Sequence, residues 1–315
     1  MQKILITGAS GFIGSALCGR ASDAGLQVVA AHRTLPTPVP TKNYIEHRQV
    51  GEIHRATDWT DALAGCDVVM HLAGRAHHLR EKPSEALALH REVNTQGTLR
   101  LVQQAIEAGV KRFVFVSTIG VNGTTTKPGQ MFREEGVPAP ETAYAISKWE
   151  AEKGLQALAV ASGMELVIIR PPLVYGWGAP GNFSRLVHLV SRGLPLPLAA
   201  IHNQRSFISI RNLTDLLLVC ATHPAAANET FLISDGRDFS TPQFLQMIAD
   251  SMGVKLRLFP IPTLLLKAAA WCLGQSATAR SLCDSLCVDT SKIQRLLQWQ
   301  PKAPRLQSFA TPLEH

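Results

Sequence analysis

The run Thr7-Gly8-Ala9-Ser10-Gly11-Phe12-Ile13-Gly14 narrows most sharply what this chain can fold into, because it follows the apolar triplet Ile4-Leu5-Ile6 and opens a helical stretch. Glycines at 8, 11 and 14 permit a tight strand-to-helix turn, close approach of the backbone to a pyrophosphate, and close packing of helix on strand. A helix N-terminus adds the partial positive charge such an anion needs. Gly8, Ser10, Gly11, Phe12, Ile13 and Gly14 are therefore the first candidate cofactor-binding residues. Downstream, short apolar runs at 28–30, near 50, at 68–70, 113–116 and 166–169 alternate with amphipathic stretches at 84–108 and 143–161. Strands separated by helices make βαβ units, so the expected class is α/β, a doubly wound parallel sheet.

With 315 residues, 46% hydrophobic and 17% charged, the chain is too apolar for a disordered one and long enough for two lobes. We expect a Rossmann domain over 1–170 and, beyond the Pro-rich Arg170-Pro171-Pro172, a smaller C-terminal substrate-binding lobe over 171–312, with 205–234 returning to the main sheet. Residues 313–315 read as a tag remnant. The net charge of +7 comes from scattered Lys and Arg without a basic stripe, which excludes a nucleic-acid partner and leaves small polyanions open. The start lacks the pattern of a signal peptide, and no window holds ~18 uninterrupted apolar residues, so no membrane span is expected. The apolar tract 260–274, broken by Pro262 and Lys267, reads as a packed helix in preference to one lying on a membrane surface. Six cysteines show no CxxC spacing, and Cys283 and Cys287 stand i and i+4 on an expected helix; reduced thiols in a cytoplasmic protein are the reading. No carboxylate or Cys completes a ligand set around His71, His77 and His78, so no metal is expected and these are read as solvent-facing or substrate-loop histidines.

Two further places carry chemistry. The second strand ends Val28-Val29-Ala30-Ala31-His32-Arg33, with no carboxylate in reach of an adenosine ribose. Arg33, assisted by His32, suits a 2′-phosphate instead, so NADPH is the expected cofactor, with NADH as the alternative; the competing reading is a solvated basic turn. In Tyr144-Ala145-Ile146-Ser147-Lys148 the phenol and ammonium share a helix face, and Ser117-Thr118 ends the preceding strand. A nearby cation brings a phenol toward the range of general acid-base work. The long segment 122–142 between these elements reads as a flap.

Taken together, TGASGFIG, HLAG (71–74), VNTQGT (93–98), VST (116–118), YAISK and RPPLVYG (170–176) resemble the extended short-chain dehydrogenase/reductase family over nearly the whole chain. The resemblance implies that Thr118 hydrogen-bonds the reacting oxygen, Tyr144 donates or accepts the proton, and Lys148 holds the nicotinamide ribose and tunes the tyrosine. By the same resemblance Asn94 braces the active-site strand. By the same resemblance Glu52 meets the adenine, and Ile53, Leu72, Ala73, Gly74 and Pro171 line the cofactor.

The residues also bear on the branch. Nucleotide-sugar dehydratases of the family carry an Asp-Glu pair after the threonine, where this chain has Ile119 and Gly120, so dehydration is not expected. Asn182, Arg205 and, more weakly, Arg280 resemble residues that hold a UDP-sugar, Arg205 on the diphosphate; Asn182 as a helix cap and Arg205 as a surface ion pair are the plain alternatives. The basic end of the second strand then favours NADPH-dependent reduction of the C4 ketone of a UDP-4-keto-6-deoxy-HexNAc, of the kind used in bacterial O-antigen synthesis. The alternatives are a UDP-hexose or UDP-HexNAc 4-epimerase with bound NAD, and a non-catalytic NADP-sensing regulator. Relatives often pair through the long helices, here 84–108 and 143–161, so a homodimer is a further expectation.

Overall fold

A computed structural model describes residues 2–39, 44–76 and 83–303, with side chains at 83 and 84 left aside. The strands are β1 (Lys3–Thr7), β2 (Gln27–His32), β3 (Ile45–Gln49), β4 (Val68–His71), β5 (Arg112–Val116), β6 (Glu165–Arg170), β7 (Leu173–Tyr175), β8 (Arg205–Ser209), β9 (Glu229–Leu232) and β10 (Asp238–Phe239). Among the helices, α1 (Phe12–Asp23) and α2 (Thr60–Leu63) precede α3 (Pro83–His90), which runs through a π-helical segment (Arg91–Gly97) into α4 (Thr98–Glu107). Then come α5 (Ala143–Ser162), α6 (Asn182–Ser191), α7 (Ile210–Thr222), α8 (Thr241–Met252), α9 (Thr263–Cys272), α10 (Ser276–Cys283) and α11 (Ser291–Leu297).

Seven strands form one parallel sheet in the order β3-β2-β1-β4-β5-β6-β9. The inner strands are buried almost end to end, as in the β5 sequence Arg-Phe-Val-Phe-Val, because helices cover both faces. One face packs its aliphatic side chains with those of α1, α7 and α11, the other with those of α2, α4 and α5. Strand order reverses between β1 and β4, and in such sheets the crevice outside the carboxyl ends at the reversal is where ligands bind. Of the segment 205–234, α7 and β9 belong to this layer, whereas β8 pairs with β7 and β10 in a separate three-stranded sheet. That small sheet has its own core, where Phe207 stacks on Phe244 with ring centroids 3.9 Å apart and Tyr175 meets Phe244 edge-on.

Local chemistry fixes the ends of the helices that matter. Thr142 caps α5 by accepting from the Ala145 N–H at 3.1 Å, and Gly163 ends it in the left-handed region. A reciprocal capping box of Ser240 and Gln243 starts α8. Two expectations change here. Cys283 ends α10 while Cys287 lies beyond it in an extended stretch, so Asp284, with ψ 152°, breaks the helix that the i, i+4 spacing suggested. Helix α9 forms within 260–274 and packs only in part: Leu266 rests on the core of the small lobe, but none of its residues is buried.

The turn after β1 is the tightest place in the molecule. Gly8 has φ +67°, and a Cβ on Gly14 would stand 2.1 Å from the Gly8 carbonyl oxygen, inside backbone that cannot yield. Gly14→Ala should therefore lower stability by about 1–3 kcal/mol, the usual cost of overpacking. Urea denaturation checks this; an unchanged midpoint would show that α1 can back away from β1.

Candidate active site

At the strand-order reversal a cavity of about 390 Å³ opens, lined among others by Gly8, Ser10, Gly11, His32, Arg33 and Glu52. Ile53, Leu72, Ala73 and Gly74 also line it, so ten of the residues singled out from sequence meet there. Of the other five cofactor candidates, Lys148 is described below with Tyr144, and Phe12, Ile13, Gly14 and Pro171 shape the surroundings. Phe12 and Ile13 pack into the core clusters, Gly14 sets the approach of α1, and the Pro171 carbonyl accepts from the Ile119 N–H at 3.0 Å. Ala31, Val50, Gly51, Trp59, Arg75 and Val93 complete the lining; Ala31 and Val93 belong to runs quoted from the sequence, and none of the six was singled out there as a site residue.

Two observations fit this cavity to a dinucleotide. A Cβ on Gly8 would stand 2.9 Å from the Ala73 backbone, so the loops after β1 and β4 close on each other as a backbone cradle. Trp59 is fully buried, yet among the described residues its Nε1 has no hydrogen-bond partner, and the residue is one of those that line the cavity. An orphaned buried donor beside a cavity of this kind is what a polar ligand satisfies.

Several buried polar side chains brace the cradle. Thr7 Oγ1 bonds His71 Nδ1 at 2.7 Å, His71 Nε2 bonds Thr98 Oγ1 at 2.8 Å, and the Leu72 and Ala73 N–H groups both donate to Thr7 Oγ1. Burial and the positive Lys148 hold the His71 imidazole far below its usual range, so it stays neutral and serves as a strut. This corrects the solvent-facing reading of His71; His77 and His78 lie outside the described residues. No cluster among the described residues could hold a metal ion. His32 turns its Nε2 to His47 Nδ1 at 2.9 Å, with the rings stacked, while Arg33 is exposed.

Tyr144 and Lys148 stand one turn apart on the first turns of α5. A Cβ on Gly74 would come within 3.3 Å of Lys148 Nζ, which places the ammonium against one of the residues that line the cavity. Lys148 donates to the Val116 carbonyl at 3.0 Å and lies 4.4 Å above the Phe115 ring. Burial pulls its pKa down to about 7, partly offset by Glu152. The Tyr144 phenol is pushed up to about 12, again by burial. Thr118 follows β5, its Oγ1 accepting from the Gly120 N–H at 3.1 Å. A Cβ on Gly120 would lie 3.4 Å from Thr118 Oγ1 and 3.2 Å from the Ala145 side chain, so strand end and helix start abut. Asn94, on the π-helical segment, accepts from the Arg75 N–H at 2.7 Å and donates to Ser147 Oγ at 3.0 Å, tying that segment to α5.

Sequence reasoning missed the polar layer beneath these groups. Fully buried Glu152 takes the fork of Arg170, 2.6 Å at the shorter contact, and also accepts from the Ser117 hydroxyl, while Arg170 donates to Asn122 at 3.0 Å. The spacing Tyr144, Lys148, Glu152 at i, i+4 and i+8 was the available signal. The substrate candidates are more dispersed. Arg205 donates to the Asp284 carbonyl at 2.7 Å, Arg280 pairs with Glu141 at 3.5 Å, and Asn182 begins α6, whose cap is Gly181. Segment 122–142 is laced to the chain opposite: Thr126 and Phe132 N–H groups donate to the Ser285 and Cys287 carbonyls, both at 2.8 Å.

This architecture has clear relatives. The model of the NAD dependent epimerase/dehydratase family matches residues 4–234. A UDP-glucose 4-epimerase of Vibrio cholerae is 41% identical over 318 residues, covering 98% of this chain and 93% of its own. Among solved structures, UDP-glucose 4-epimerase of Thermotoga maritima is 21% identical with a TM-score of 0.75, covering 98% and 96% of the two chains. UDP-N-acetylglucosamine 4-epimerase from Bacillus cereus is 19% identical, also at 0.75, covering 98% and 94%. The 41% relative overturns the expected UDP-4-keto-6-deoxy-HexNAc reductase. That expectation rested on the missing carboxylate at the end of β2, yet His32 there is engaged by the neighbouring strand, so its identity answers to packing as well as to a cofactor. By the match across most of its length the chain belongs to the NAD dependent epimerase/dehydratase family, and it is an NAD(P)-dependent enzyme.

Proposed function

We propose that this protein is a UDP-hexose or UDP-HexNAc 4-epimerase working with a resident NAD(H). The observation that carries the reading is the 41% identity to a UDP-glucose 4-epimerase over nearly the whole of both chains. Three further features support it: Lys148 Nζ lies 3.3 Å from where a Cβ on cavity-lining Gly74 would stand, Tyr144 precedes Lys148 by one turn on α5, and no acidic pair follows Thr118 in the sequence to move protons at neighbouring carbons. An epimerase returns what it takes from carbon four, so the expected exchangeable NADPH donor has no part in the cycle.

When bound, the nicotinamide supplies a reversible hydride acceptor and, oxidised, a positive charge. The chain's residues do the rest. Tyr144 exchanges a proton with the sugar 4-oxygen, and Thr118 Oγ1, at the end of β5, hydrogen-bonds that oxygen. Lys148, pinned by the Val116 carbonyl, holds the ribose side of the cavity and offers the cation that offsets the rise burial imposes on the phenol. Asn94 and the Glu152–Arg170 pair hold α5 and β5 in register, so that these groups stay on one edge. Arg205 pairs with the diphosphate by leaving the Asp284 carbonyl.

The protein incubated with UDP-glucose or UDP-GlcNAc, with no added cofactor, should yield the 4-epimer by NMR. Stoichiometric consumption of NADPH on a 4-keto sugar, without epimerisation, would defeat the proposal. Tyr144→Phe should lower turnover by about 10²–10⁴-fold with dinucleotide content preserved; retained activity would remove the phenol from the chemistry. Lys148 makes a signed prediction. Its folded pKa lies below the unfolded value, so the unfolded chain binds more protons between about 7 and the ordinary lysine range, and the burden on folding is heaviest at low pH. Lys148→Met should abolish turnover and raise stability, with a larger gain at pH 6 than at pH 10; an equal gain at both would contradict this.

A further inference from the structure

The longest apolar tract in the sequence reaches a core only through Leu266. Helix α9 is hydrophobic around most of its circumference, a pattern that ordinarily marks a buried helix, yet none of its residues is buried. Leu264 is 81% exposed, Leu265 61%, Trp271 75% and Leu273 75%. Leu264, Ala268 and Trp271 stand at i, i+4 and i+7 on one outward face, while Thr263, Leu266 and Ala270 turn toward the protein. The approach to the helix adds to the same surface: along 254–259 inward and outward residues alternate, and Lys255, Arg257 and Phe259 are the exposed set.

Charge decides what covers such a face. From 251 to 283 the chain carries Lys255, Arg257, Lys267 and Arg280 and no Asp or Glu. Two of these cations meet carboxylates from outside the stretch, Lys267 with Asp284 at 2.6 Å and Arg280 with Glu141 at 3.5 Å. A second copy docking about a two-fold axis would set like charges against each other. A short helix with Trp and Leu outward and basic residues beside it matches the surface of an anionic bilayer, where the aromatic ring sits at headgroup level and the cations meet phosphates. At ten residues, about 15 Å, α9 can lie in that interface, and among the described residues no helix is long and apolar enough to cross the membrane.

We propose that the outward face of α9, with Lys255, Arg257 and Phe259 beside it, docks this protein peripherally on anionic lipid membranes. The inference is independent of the sugar chemistry. Arg280 on α10, the helix packed against α9, pairs with Glu141 of segment 122–142, so the docked face is tied to that segment.

Co-sedimentation with vesicles tests it. The wild-type protein should pellet with vesicles of equimolar phosphatidylglycerol and phosphatidylcholine, and far less with phosphatidylcholine alone or at high salt. The double variant Leu264→Gln/Trp271→Ser should lose about tenfold or more of that binding with an unchanged melting temperature, since both side chains already face solvent. Lys255→Glu/Arg257→Glu, which leaves the apolar face intact, should also release the protein. Absence of wild-type binding to the anionic vesicles, or equal binding by either double variant, would overturn the proposal. So would a wild-type dimer that ignores vesicles and becomes a monomer in Leu264→Gln/Trp271→Ser.

Discussion

Everything functional in this molecule depends on how closely helix α1 approaches the end of β1. With no room for a Cβ on Gly14 against the Gly8 carbonyl, the strand ends where the helix begins, and the first N–H groups of α1 face the opening at the strand-order reversal. The loop after β4 closes on the same glycine, within 2.9 Å of where a Gly8 Cβ would be. Backbone therefore builds the cradle, and side chains such as Thr7 and His71 keep the two loops at that distance.

The catalytic edge is built at a cost to stability. Lys148 is a buried ammonium bonded to one carbonyl and set over one aromatic ring, with Glu152 offsetting only part of the burial, and burial acts also on Tyr144, one turn away. Below them, Glu152 and Arg170 form a buried ion pair of the kind that an apolar pair could often replace without loss of stability. Its use here is positional: Ser117 and Asn122 are bonded to it, and these flank Thr118 on the one segment that must stay fixed relative to α5. Active sites commonly trade stability for such arrangements.

The sequence was legible where the physics is local. The glycine spacing announced a strand-turn-helix, and Tyr144 with Lys148 announced a shared helix face, because both depend on a few consecutive residues. What depended on pairing distant segments was hidden. His71 looks like a loop histidine until β4 is placed beside β1, 64 residues away in sequence, and then its two nitrogens are both engaged. His32 suggested a phosphate partner until β3 supplied His47. Helix α9 was read only in part for a different reason: it packs through Leu266 alone, and an apolar tract reports that burial is favourable, and not how much of it the protein's own core supplies. The branch of the family was the hardest to read, since reductase and epimerase share the same phenol, ammonium and threonine and differ in whether the oxidised sugar leaves or is returned.

That difference can be measured directly. UDP-glucose, or UDP-GlcNAc, carrying deuterium at carbon four is incubated with the protein in ordinary water, without added nicotinamide cofactor, and both epimers are followed by NMR and mass spectrometry. The account predicts that the 4-epimer appears with its deuterium still on carbon four, because what leaves that carbon is held in the site and returned to it. Formation of the epimer with protium at carbon four, or no epimer from either sugar by a protein that retains its dinucleotide, would contradict it.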